Sequence, residues 1–134
     1  MTDRLAINYI QISGVLITGG SGALTSTELF LPHNGKTCSL QNLPDNRYYH
    51  SIDFIGSKVL LCGGGAGSSR TSCLQFLPDS SIGSWVNFAT LAQGRYSHAS
   101  HVFNGDLLLM GGDDSRNAEI LGSGPQYNLQ QVTR

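Results

Sequence analysis

The feature that most constrains this chain is a pattern that occurs three times: a short apolar run halted by two glycines. Val15-Leu16-Ile17-Thr18 stops at Gly19-Gly20, Lys58-Val59-Leu60-Leu61-Cys62 stops at Gly63-Gly64, and Asp106-Leu107-Leu108-Leu109-Met110 stops at Gly111-Gly112. Successive diglycines lie 44 and 48 residues apart. An apolar run of four or five residues bounded by glycine reads as a buried strand. Glycine ends it because only glycine turns freely where a side chain would clash. Self-similarity at a period of roughly 40 to 50 residues marks a repeat architecture, and at that length the unit is one propeller blade. Composition agrees. Glycine supplies 17 of 134 residues, against a usual share of ~7%, and charged residues make up only 13%, against about 25%.

Each unit reads as four strands. In the first they are predicted at Leu5–Ile12, Val15–Thr18, Thr25–Leu31 and Lys36–Leu40, with Asn34-Gly35 as a tight hairpin turn. In the second they fall at Tyr48–Ile55, in the run ending at Cys62, at Thr71–Leu77 and at Trp85–Phe88, with a flexible loop at Gly65–Arg70. In the third they fall at Tyr96–Phe103, in the run ending at Met110, at Asn117–Leu121 and at Gln126–Gln131. No segment sustains a 3.6-residue apolar period, so no helix is expected.

The units align beyond their glycines. Arg4, Arg47 and Arg95 open each one, 43 and 48 residues apart. Asn46-Arg47-Tyr48-Tyr49-His50-Ser51 matches Gly94-Arg95-Tyr96-Ser97-His98-Ala99, and Thr27-Glu28-Leu29-Phe30-Leu31-Pro32 matches Cys73-Leu74-Gln75-Phe76-Leu77-Pro78. Glu119 repeats the position of Glu28. An apolar strand ending in Gly-Gly, a Glu-bearing strand, a Trp (Trp85) and an Arg opening the next unit together resemble the kelch repeat. The likeness covers nearly the whole chain. The Trp occurs once, and the Tyr that commonly follows the Glu is replaced by Phe30 in the first unit.

The resemblance implies an all-β fold of kelch-type β-propeller blades, three four-stranded antiparallel blades spanning residues 4–43, 47–91 and 95–131. Propellers close with four to eight blades, so three cannot close alone, and an open arc would expose apolar faces beyond what a monomer normally shows. The chain begins at a motif Arg and ends after a fourth strand, which favours a homodimeric six-bladed ring about a two-fold axis. The alternative is a piece of a longer propeller, glycan-binding or of the galactose oxidase type.

Several functional classes find little support. The formal net charge of −1 gives no electrostatic case for nucleic acid or an anionic membrane. No apolar stretch reaches the 18 or more residues of a transmembrane helix, and Asp3, Arg4, Asn8 and Gln11 interrupt any signal-peptide core. His98 and His101 alternate across a strand and cannot share an ion. No Tyr/His/Cys copper constellation carries over from the oxidase-type propellers, and no cofactor is implied. The reading is a non-enzymatic scaffold for a protein or peptide.

The resemblance places ligand contacts at one mouth of the propeller, two residues after the motif Arg and in the loop after each diglycine. These positions are Ala6, Tyr49 and Ser97, then Ser21, the 65–70 loop ending in Arg70, and Asp113, Asp114 and Arg116. Arg4, Arg47, Arg95, Trp85 and the six glycines are assigned to the scaffold, because a residue present in every unit serves what every unit shares.

Three cysteines are too few and wrongly spaced for a zinc site. Cys62 and Cys73 flank one loop at positions that are Thr18 and Thr27 in the first unit, and Met110 and Ala118 in the third. Opposed strand residues have β-carbons ~4.5 to 5.5 Å apart and a disulfide needs ~3.5 to 4.5 Å. A bridge therefore requires the close, non-hydrogen-bonded kind of pair, and both bridged and reduced states stay open. Cys38 is expected to be unpaired. No compartment is fixed by the sequence, although a bridge would favour an oxidising, extracellular one.

Overall fold

The computed structural model describes residues 14–113 and 116–122, and the backbone of 130–132. It is all-β. Eleven strands are described: β1 (Val15–Thr18), β2 (Thr27–Leu31), β3 (Lys36–Ser39), β4 (Ser51–Ile55), β5 (Lys58–Cys62), β6 (Ser72–Leu77), β7 (Ser84–Thr90), β8 (Ala99–Phe103), β9 (Asp106–Met110), β10 (Ala118–Leu121) and β11 (Gln130–Val132). They form three antiparallel meanders, β1-β2-β3, β4-β5-β6-β7 and β8-β9-β10-β11, here called blades 1, 2 and 3. The strand predicted at Leu5–Ile12 and the residues 123–129 lie outside the described residues, as does Arg4.

The diglycine strand is the second of the four in blades 2 and 3, and it pairs in the same register each time. Thr18 faces Thr27, Cys62 faces Cys73, and Met110 faces Ala118. The inner strands of blades 2 and 3 begin at Ser51 and Ala99, later than the sequence alone suggests. The reason is local: Tyr49 and Ser97 have φ of 57° and 53°, a left-handed conformation that breaks the extended run before each strand.

One expectation is corrected. The loop after the second diglycine is not open coil, because Gly67–Thr71 form a 3-10 helix. A single turn has no apolar periodicity to read. It is set instead by short polar side chains bonding to nearby carbonyls: the hydroxyl of Ser69 donates to the Ala66 carbonyl at 2.6 Å, and that of Thr71 to the Ser68 carbonyl at 2.9 Å.

The core is made of seams between blades. Leu29, Leu31, Cys38 and Leu40 of blade 1 pack on Phe76 of blade 2, with Val59 and Trp85 against them. Ile55, Leu60, Cys62 and Cys73 of blade 2 pack on Leu107, Leu109 and Leu121 of blade 3. Trp85 pins the first seam. Its indole N–H donates to Thr27 Oγ1 and the Gln41 carbonyl at 3.2 and 3.1 Å, and its ring meets Phe76 edge-on at 5.1 Å.

In the first two pairs the first glycine is required by close approach. A β-carbon on Gly19 or Gly63 would lie 2.5 Å from the carbonyl oxygen of Arg47 or Arg95 in the next blade. The φ values there are +56° and +66°. The second glycine then donates its N–H across the seam: Gly20 to the Arg47 carbonyl at 2.8 Å, Gly64 to the Arg95 carbonyl at 2.9 Å.

The guanidinium groups lock the same junctions. Arg47 and Arg95 are both fully buried. Arg47 donates from Nη1 to the carbonyls of Gly63, Ser69 and Ser72 at 2.8, 2.8 and 3.2 Å. Its Nε meets Asp45 at 2.7 Å, and its Nη2 meets Ser72 Oγ. Arg95 donates to the carbonyls of Gly111 and Asn117 at 2.9 and 3.2 Å and pairs with buried Glu119 at 2.6 Å. Glu119 also accepts from the backbone N–H groups of Ala92 and Gln93, at 2.6 and 3.2 Å. Arg95→Ala strands that carboxylate without its cation, and breaking a buried pair typically costs about 3–5 kcal/mol. We expect a loss of that size in urea unfolding, and a loss under about 1 kcal/mol would refute the seam role.

Cys62 and Cys73 are joined by a disulfide with Cα atoms 4.1 Å apart, while Cys38 is buried and free. The Gly63 N–H bonds to the Ser72 carbonyl at 3.0 Å. Gly63 and Ser72 are thus a hydrogen-bonded pair, and the cysteines beside them form the close pair that a bridge requires. Alkylating the denatured, non-reduced protein should label one cysteine, and three after reduction. Three labels without reduction would contradict the bridge.

Candidate functional site

The candidate site is the end of the array where the diglycine loops and the interblade linkers meet. The left-handed turn at Tyr49 lifts its side chain off the sheet, leaving it 65% exposed. Ser97 makes the same turn in the next blade and is exposed. The Ser97 N–H donates to the Tyr49 carbonyl at 2.9 Å. The two positions therefore sit side by side across the seam between blades 2 and 3.

The diglycine loops hold this row in place. Gly65 N–H donates to the Tyr48 carbonyl at 2.9 Å and Asp113 N–H to the Tyr96 carbonyl at 3.1 Å. Arg70 lies in the last turn of the 3-10 helix, and its guanidinium lies over the Tyr96 ring, 4.4 Å from the centroid. Its carbonyl accepts from the Arg95 N–H at 3.0 Å. Arg70 is thus held against the residue preceding Ser97. Asp113 and Arg116 are exposed on the third loop. Asp114 and Ala6 lie outside the described residues.

A hollow of about 410 Å³ opens beside Tyr49, lined by Gly20, Ser21, Leu24, Tyr48 and Tyr49. The rings of Tyr48 and Tyr49 meet edge-on at 5.4 Å. Tyr48 and Leu24 were not singled out from the sequence, although the Tyr-Tyr pair beside a motif Arg was a readable signal. A second hollow of about 480 Å³ lies further out, between the Pro44–Arg47 linker, the 3-10 helix and β7. Among the described residues no group of three His, Cys, Asp or Glu side chains could hold a metal ion. No described helix is long and apolar enough to cross a membrane.

His50 and His98 lie one residue beneath the exposed row. His50 Nε2 is 3.0 Å from Thr18 Oγ1, and His98 Nε2 is 3.0 Å from Ser51 Oγ, each across a seam. Burial lowers the pKa of both. The neighbouring Arg47 lowers that of His50 further, and Arg95 and then His50 help bring that of His98 down to about 4.

Three radially docked, glycine-hinged antiparallel sheets define propeller blades. Comparisons narrow the class. No protein-family profile matches the chain. Kelch-like protein 24 of Homo sapiens is 27% identical over 109 residues, 81% of this chain and 17% of that protein. Kelch-like protein 21 of Rattus norvegicus is 28% identical over 93 residues, 69% of this chain and 15% of that protein. The tRNA wybutosine-synthesizing protein 4 of Rattus norvegicus is 41% identical over 73 residues, 52% of this chain and 11% of that protein. The chain therefore spans less than a fifth of the length of these relatives. Its repeats are similar to those of these kelch-like proteins, and its all-β blades are consistent with a kelch-repeat family.

The histidines set an acid limit. Both are held neutral in the fold while the unfolded chain titrates near the ordinary 6.5. Below the ordinary value the unfolded state binds more protons, so their contribution is complete above pH 6.5 and is lost as pH falls, that of His98 toward about 4. The urea midpoint should fall across that window. His98→Gln should flatten the fall, and an unchanged slope would show that His98 is not its source.

Proposed function

We propose that this chain is a non-enzymatic scaffold that binds a protein or peptide segment at the Tyr49–Ser97 end. It closes a six-bladed ring by pairing with a second copy of itself. The carrying observation is what covers equivalent residues in different blades. Leu61 and Leu109 are fully buried by the preceding blade, whereas Ile17, at the same place in blade 1, is 48% exposed. Ile55 is fully buried by the following blade, whereas Phe103, its equivalent in blade 3, is 65% exposed. Both end faces thus carry the chemistry of a seam, and a further blade is the surface that fits them. A two-fold pair brings blade 3 of each copy against blade 1 of the other.

The binding reading rests on the contrast between buried, packed seams and one exposed aromatic beside a hollow. Tyr and Arg are the usual anchors of recognition. Tyr49, Arg70 and Arg116, with Ser97 and Asp113, make up the described part of the proposed surface, to which Asp114 is assigned from the sequence alone. The kelch-like names of two relatives fit a scaffold, while the name of the third, a tRNA wybutosine-synthesizing protein, is a synthetic activity of a chain mostly outside the matched segment.

Light scattering at micromolar concentration should return twice the chain mass, and a stable monomer would sink the ring. For the site, peptides selected from a displayed random library should lose about 1–3 kcal/mol of binding on Tyr49→Ala, Arg70→Ala or Arg116→Ala. The melting temperature of each variant should stay near that of the parent. Binders indifferent to all three changes would place the site elsewhere.

A further inference from the structure

The outer edge of blade 2 is a second surface, away from the Tyr49–Ser97 end. β7 is paired on one side only, to β6, so its other side presents backbone groups as a sheet edge does. The register says which groups these are. The bond from the Gly63 N–H to the Ser72 carbonyl sets the alternation along β6 and turns the backbone groups of Gln75 and Leu77 toward β7. Their partners Val86 and Ser84 therefore turn inward, while Trp85 and Asn87 turn outward. Among the described residues no further backbone–backbone bond reaches Trp85 or Asn87.

Exposed edges are usually blunted by short length, lysine or proline. β3, the edge of blade 1, has four residues and opens with exposed Lys36. β7 has seven, and no charged residue stands between Asp79 and Arg95. A bulge interrupts it instead: Cys73 faces Ala89 and Leu74 faces Asn87, which makes Phe88 the extra residue of the strand. The stretch Ser84–Asn87 is regular and uncharged, and it stops where the bulge begins. The outer hollow of about 480 Å³ lies at that end. Pro44 and Leu74 give its lining an apolar part, and Asp45, Ser68, Thr71 and Asn87 a polar one.

The hollow selects against charge. Arg47 is fully buried and its charge is met by Asp45, so a further cation or anion there would stand uncompensated beside a neutral pair. The Asp45 side chain is 40% exposed, and its carboxylate has more acceptor sites than Arg47 uses. A neutral donor on an apolar body fits both facts, which describes the phenol of a tyrosine. Leu74 and Asn87 are directly opposed and so share one face of the sheet, and both line the hollow. On an antiparallel strand added along β7, the residue opposite Asn87 projects on that same face. We propose that β7 receives an extended, uncharged segment of a partner protein, whose backbone pairs with Trp85 and Asn87 and whose tyrosine enters the outer hollow and donates to Asp45. This surface depends neither on the Tyr49–Ser97 site nor on ring closure.

The probe is a peptide of alternating threonine and valine with one central tyrosine, added to the full chain and followed by amide hydrogen exchange. On binding, exchange at the Trp85 and Asn87 amides should slow by about tenfold or more, while Ser84 and Val86, already in the ladder, keep their rates. Replacing the peptide's tyrosine by phenylalanine removes a bond to a charged acceptor and should weaken binding about tenfold. Lysine or glutamate in its place should weaken binding at least as much. Asn87→Pro removes an outward N–H and no ladder bond, so it should lose binding with a melting temperature near the parent's, and Asn87→Thr should keep it. A phenylalanine peptide that binds as well as the tyrosine one would overturn the contact with Asp45. Protection confined to Tyr48 and Tyr49, or none at millimolar peptide, would overturn the edge site. Protection of Trp85 and Asn87 that grows with protein concentration in the absence of peptide would assign the edge to a second copy and overturn the proposed occupant.

Discussion

Two guanidinium groups that no water reaches set the geometry of this array. Arg47 and Arg95 are fully buried, and a buried charge is tolerated only where it is paired and hydrogen-bonded. Their partners come from the diglycine loop and the strand after it: the carbonyls of Gly63, Ser69 and Ser72 for one, those of Gly111 and Asn117 for the other. Each arginine also carries the carbonyl that the preceding blade's second glycine bonds. One residue thereby fixes three things at once: the start of its own blade, the shape of that blade's loop, and the edge of its neighbour. The loop conformations at the candidate site are a consequence. Ser69 and Ser72 are held from beneath by Arg47, which leaves the 3-10 helix little choice about where it presents Arg70.

Much of the fold was legible because its signals are local and repeated. A buried strand bounded by glycines is visible as an apolar run, and three aligned copies specify register as well as existence. Trp85 and the arginines could be placed, and backbone carbonyls or Glu119 could be expected as arginine partners, as Arg95 shows. Which carbonyls are met could not be read, since carbonyl acceptors have no sequence identity. The 3-10 helix was illegible for a related reason, as it depends on hydroxyl-to-carbonyl bonds in a Gly/Ser stretch that reads only as loop. The positive φ of Tyr49 and Ser97 was hidden too. Neither residue type announces a left-handed turn, and tertiary bonds to the Tyr48 and Tyr96 carbonyls beside them hold the chain there. At the candidate site, the row of positions after the motif Arg could be read from alignment. The stacking of Arg70 on Tyr96 and the hollow between Tyr48 and Leu24 could not.

The exchange at the glutamate position shows how one seam problem is solved twice. In blade 3, Glu119 neutralises Arg95 and satisfies the N–H groups of Ala92 and Gln93 in the linker. In blade 2 that position is Leu74, which joins Leu43, Leu61 and Trp85 in an apolar cluster. Removing the carboxylate alone would strand both a cation and linker donors. The linker changes to match. Pro44 stands where Ala92 does and has no N–H to satisfy, and Asp45 stands where Gln93 does and supplies the charge that Arg47 needs. Three substitutions compensate one another across residues distant in sequence, and none makes sense singly. The side chain of Asp45 is 40% exposed where Glu119 is 1%, so the first seam keeps its ion pair in contact with solvent beside the outer hollow. Closure of the first seam thus leans on apolar packing and the indole N–H of Trp85, and that of the second on a desolvated charge pair, while the exposed row above both is left free of structural duty.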